Sequence, residues 1–195
     1  MYVRSDTVAR NPAVFEKWGR AGLDSVLVGL ESIFADELAG YSKKISLDLA
    51  RQCVQVLHSN GIEIRANFIV KPDYTLEKFR RVREAVEELQ IDKPTFAVLT
   101  PFIGTETYEQ LKDDLILDEP EFYDCYHALT QTRLPLQTFY REFAALFRTA
   151  QQRDINRGAG SAKIFYAGKG DTFEEFVDKI EGSDRYYRSP ALAVG

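Results

Sequence analysis

Apolar residues in this chain follow two periods, one strand-like and one helical, and the two alternate. Ser25 to Ser32 opens with branched apolar residues, Val26, Leu27, Val28 and Leu30, interrupted by Gly29 and closed by Glu31 and Ser32. A short apolar run of this kind predicts a strand buried on both faces, as in a parallel sheet. Strict alternation puts Gly29 and Glu31 on one face, where the glycine leaves room for something to approach the backbone below a carboxylate. Helical spacing lies on either side. Asn11 followed by Pro12 predicts a helix start, Val14, Phe15, Trp18 and Ala21 form its stripe, and Gly22 closes it. Ser46 caps a second expected helix, which carries Leu47, Leu49, Ala50, Cys53, Val54 and Leu57 on its period and stops at Asn60 and Gly61. Met1 to Asp6 reads as the tail of an earlier strand, with Arg4, Ser5 and Asp6 at its carboxyl end.

Ile62 to Val70 carries the sharpest alternation. One parity holds Ile62, Ile64, Ala66, Phe68 and Val70; the other holds Glu63, Arg65, Asn67 and then Ile69. The polar row must face water, a cavity or a ligand, because a buried charge is costly unless it is paired or solvated. Two arrangements satisfy it: an edge strand with a wet face, or the interior wall of a barrel-like sheet. Thr75 then caps a helix with Leu76, Phe79, Val82, Val86 and Leu89 on one side. Thr95 to Thr100 is a further strand, and Thr105 or Glu106 starts a helix through Leu111.

The order strand, helix, repeated four times, predicts an α/β fold with a parallel sheet and right-handed crossovers. The regular repeat favours part of a TIM-type (β/α) barrel over a doubly wound sheet. No Gly-x-Gly-x-x-Gly or phosphate-loop pattern follows any strand. Past Leu115 the pattern changes. Asp113, Asp114, Asp118, Glu119 and Glu121 form an acidic connector, Leu136 to Ala150 is a helix striped with Phe139, Phe143, Leu146 and Phe147, and Gly158 to Ser161 is a glycine-rich break. Thr172 to Ile180 is a short amphipathic helix, and the residues from Gly182 are expected to fray.

Composition narrows the class. The chain has 195 residues, 45% of them hydrophobic, and a net charge of −5, so neither a general nucleic-acid footprint nor a transmembrane segment is expected. Its opening has no signal-peptide pattern, and a cytoplasmic protein is expected. Two widely separated cysteines, Cys53 and Cys125, support neither a disulfide framework nor a metal site made from this chain alone. Cys53 reads as a small core residue, and His58 and His127 as structural or surface residues. No catalytic or metal-ligating set is assigned.

Five stretches carry a resemblance: Arg4-Ser-Asp6, Ala21 to Ser32, Ala66 to Asp73, Leu99 to Thr105 and Thr132 to Tyr140. In this order they resemble the radical S-adenosylmethionine family with a cobalamin-binding domain, in its hopanoid C-3 methylase-like branch. The resemblance implies strands three to six of a six-unit partial barrel, with a C-terminal helical segment. Residues 1–115 would form the C-terminal part of that barrel, 116–157 a post-barrel helical extension, and 158–195 a flexible tail with a short helix. It implies S-adenosylmethionine, a [4Fe-4S] cluster and cobalamin as cofactors of the full-length parent. The cluster-binding Cys-x-x-x-Cys-x-x-Cys does not occur in this chain.

Carried over position by position, the resemblance implies cofactor contacts at Asp6, Glu31 and Ser32, with Arg65 meeting a carboxylate through a bidentate pair. Gly29, Glu63 and Asn67 join them on the polar faces described above. The implied function is methyl transfer to an unactivated carbon of a hydrophobic, hopanoid-like substrate, with this chain a fragment inactive alone. The alternative is a non-catalytic half-barrel that binds a small anion or a protein partner. In both cases the open sheet edge is expected to pair with a missing N-terminal half or to drive self-association.

Overall fold

A computed structural model describes residues 1–40, 47–156 and 172–188. The chain divides into two compact units, Met1–Ile69 with Arg81–Phe96, and Val70–Arg80 with Ala97–Gly195. Four strands form one sheet in the order β1 (Tyr2–Arg4), β2 (Ser25–Glu31), β3 (Glu63–Val70) and β4 (Lys93–Val98). Sequence order equals spatial order, and β1, β2 and β3 pair in parallel. The architecture is α/β, an all-parallel sheet flanked by helices, as in a partial (β/α) barrel.

In the first unit, α1 (Ser5–Arg10) and α2 (Pro12–Arg20) follow β1, α3 (Ala35–Gly40) and α4 (Leu47–Ser59) follow β2, and α5 (Leu76–Glu88) begins in the second unit and precedes β4. The alternation of β2 is half-real. Val26, Val28 and Leu30 are sealed, but Ser25, Leu27 and Gly29 are only half-buried. The strand therefore has one dry face, not two. α1 replaces the expected extended end of β1, so Asp6 stands in a first helical turn. Pro12 opens α2 as expected. The Asn11 side chain, however, leaves the helix N-terminus and donates instead to Thr7 O at 2.8 Å. Ser46, expected to cap α4, lies outside the described residues. At the other end of α4, Gly61 has φ +68, which an L side chain tolerates poorly.

α1 packs on α4. The core beneath the sheet gathers Phe15, Cys53, Leu57, Ile64, Phe68, Val86 and Phe96, all nearly inaccessible. Phe68 and Phe96 stack with centroids 5.7 Å apart. Asp92, just before β4, ties two elements together. Its Oδ2 meets His58 Nε2 at 2.8 Å and accepts from Ile64 N at 2.8 Å.

The second unit is built around α7 (Leu136–Asn156), with α6 (Glu106–Leu111), α8 (Phe173–Glu181) and a 3-10 helix over Gly182–Arg188. The aromatic stripe of α7 is core: Phe139, Phe143 and Phe147 are buried, and Phe79 meets Phe139 edge-on at 5.5 Å. α8 packs on α7 and starts with a capping box between Thr172 and Glu175. Residues 182–188 are ordered where fraying was expected. Tyr187 Oη donates to Ala128 O at 2.8 Å and pairs with Tyr140 Oη, which accepts from Ala128 N at 3.0 Å. Burial pushes the Tyr140 phenol up to about 12. The glycine-rich break at 158–161 lies outside the described residues.

Candidate functional site

The polar side of the sheet is set by register. Arg4, Gly29 and Asn67 stand level across β1, β2 and β3; Leu27 is level with Arg65, and Ser25 with Glu63. Residues level in a parallel sheet share a face. Lys93 and Thr95 of β4 reach the same side, since their side chains bond to Glu63 and Asn67. On β2, β3 and β4 this face is half-buried, and at Arg4 it is exposed.

Charge is arranged along it. Glu63 accepts from Arg65 Nε at 3.3 Å and pairs with Lys93 Nζ at 3.0 Å, each of the three being about a third exposed. These residues lie toward the amino ends of their strands. At a rise of about 3.3 Å per residue, Asn67 stands ~13 Å further along than Glu63. It is therefore nearer the carboxyl edge, where parallel sheets gather ligands. The Asn67 Oδ1 accepts from Thr95 Oγ1 at 2.9 Å.

Beyond the carboxyl end of β1, Asp6 accepts from Arg4 Nε at 3.0 Å and from Arg4 Nη2 at 3.2 Å. Those hydrogen bonds hold the Asp6 carboxyl below the usual carboxylate range against its partial desolvation, with Arg10 adding attraction. At the end of β2 a bulge shifts the register, so that Glu31 pairs with Phe68 and takes φ +65. This interrupts the alternation that had put Glu31 on the same face as Gly29. A non-glycine residue held there is strained, a condition common where a backbone is shaped for function. Ser32 is buried. Its hydroxyl donates to the buried Glu37 Oε2 at 2.6 Å and accepts from Phe34 N at 3.0 Å, anchoring the turn into α3.

Of the seven residues singled out from sequence, Gly29, Glu63, Arg65 and Asn67 share one face. Asp6 joins that face's edge through Arg4. Glu31 is re-aimed by the bulge, and the hydroxyl of Ser32 is already engaged inside the protein. Sequence reasoning passed over Arg4, Lys93, Thr95 and Glu37 as site residues. Lys93 and Thr95 were legible as one parity of β4, had that strand been started at Lys93. Glu37 carried no signal, because its role depends on the fold of α3.

Among the described residues no group of three potential metal-ligating side chains comes together. Cys53 is inaccessible, and burial pushes its thiol up to about 12, so it stays protonated at neutral pH. No helix among the described residues is long and apolar enough to cross a membrane.

Comparison with known proteins supplies relatives. The chain is 32% identical over 139 residues to a hopanoid C-3 methylase of Methylococcus capsulatus, an alignment covering 71% of this chain and 27% of that protein. It is 30% identical over 157 residues to a bacteriochlorophyllide d C-12(1)-methyltransferase of Chlorobaculum tepidum, covering 79% and 33%. It is 24% identical over 122 residues to an anaerobic magnesium-protoporphyrin IX monomethyl ester cyclase of Rubrivivax gelatinosus, covering 62% and 22%. The chain thus spans a third or less of the length of these relatives. No family model matches it.

Proposed function

Because the chain is homologous to part of the radical S-adenosylmethionine, cobalamin-type enzymes, we propose that it forms one wall of an S-adenosylmethionine site in a methyltransferase acting on a hydrophobic, polycyclic substrate. The observation that carries this reading is the polar, half-buried row on one face of an otherwise apolar parallel sheet. S-adenosylmethionine offers a carboxylate, an amine, ribose hydroxyls and a sulfonium, and this face offers carboxylate, guanidinium and amide groups in return. The chain's own work is to bind and orient.

An iron–sulfur cluster does not fit this chain. Such clusters need several thiolates; here there are two cysteines, and Cys53 is sealed in the core with its thiol protonated. No step is assigned to a cluster held by these residues. In this reading residues outside these 195 hold the cluster and cobalamin, and these 195 alone do not turn over.

A titration of the purified chain with S-adenosylmethionine and S-adenosylhomocysteine tests the reading. Binding with a dissociation constant between about 1 µM and 1 mM is expected. Absence of heat, and of any shift in amide NMR signals on β2 and β3, would refute it.

One further observation bears on partners. β1 is an outer strand of the sheet and exposes Tyr2 to 81%. Outer strands invite pairing. Under this proposal the chain self-associates or docks on the remaining part of the enzyme through β1, and a sharp monomer in light scattering at high concentration would contradict that.

A further inference from the structure

We draw no further inference here: the strongest candidate, the cavity of about 490 Å³ between α7 and α8 lined by Gln137, Arg141, Asp178, Glu181, Gly182 and Asp184, is a surface cluster of acidic side chains in which Arg148 already pairs with Glu181 at 2.6 Å, and no second observation points to a ligand there.

Discussion

Gly19 to alanine separates what a helix wants from what packing permits. Gly19 is the penultimate residue of α2, and alanine is preferred over glycine in a helix interior by about 1 kcal/mol. On local grounds the change should stabilise. Yet a Cβ built at Gly19 would stand 2.6 Å from the backbone oxygen of Asn60 and 3.3 Å from its Cβ. That oxygen cannot retreat cheaply. Asn60 is held at the end of α4 by its amide donating to Val56 O at 2.7 Å, and Gly61 follows in a left-handed conformation. Overpacking of this kind costs about 1–3 kcal/mol. Against a helix gain of 1 kcal/mol at most, Gly19→Ala should lose about 1 kcal/mol, a fall in Tm of about 2–4 °C for a chain of this size. The matched control is Gly182→Ala. Gly182 has φ −84, and nothing lies within 4 Å of its built Cβ, so the same substitution should leave Tm unchanged or raise it slightly. Differential scanning calorimetry on both variants decides the matter. A Tm for Gly19→Ala at or above wild type would refute the reasoning.

Three further outcomes are expected. Burial works against ionisation of Asp124, but hydrogen bonds from His127 Nδ1 at 2.9 Å and from the backbone N–H of Tyr126 and His127 prevail, and its carboxyl is held below the usual range. A depressed carboxylate stabilises above its unfolded pKa, and that contribution is lost as pH falls through the folded value. Asp124→Asn should therefore cost about 1 kcal/mol at pH 7 and nothing once the wild-type carboxylate is protonated, as read by urea melts across pH. Tyr187→Phe removes the hydroxyl between Tyr140 Oη and Ala128 O, and leaving buried groups without partners should cost about 1–3 kcal/mol in the same melts. Glu31→Gly removes the residue held at φ +65 and should weaken S-adenosylhomocysteine binding, as read by isothermal titration.

Long elements were legible because periodicity had room to repeat. β3, with eight residues, showed its parity outright, and the stripe of Phe139, Phe143 and Phe147 identified α7 from Leu136 to Ala150, short of its end at Asn156. α1 and α3 went unread. Each has six residues, under two turns, too short for a stripe to show; α1 is held by packing on α4, and α3 by the local bond from Ser32 to Glu37. The candidate site divided in the same way. Arg65, Asn67 and Glu63 announced themselves by alternation within one strand. Arg4 did not, because its place level with Gly29 and Asn67 is a matter of register, and register between strands is not written in any one of them. The bulge at Glu31 was invisible for the same reason.

The two compact units are not two lengths of chain laid end to end. The polypeptide passes from one to the other after Ile69, back after Arg80, and away again after Phe96, and the second passage falls inside α5. No single scissor cut yields either unit whole, so trimming the sequence to one of them leaves an interrupted helix. A designer who wants the polar face by itself must splice the gene at three joints or keep all of it.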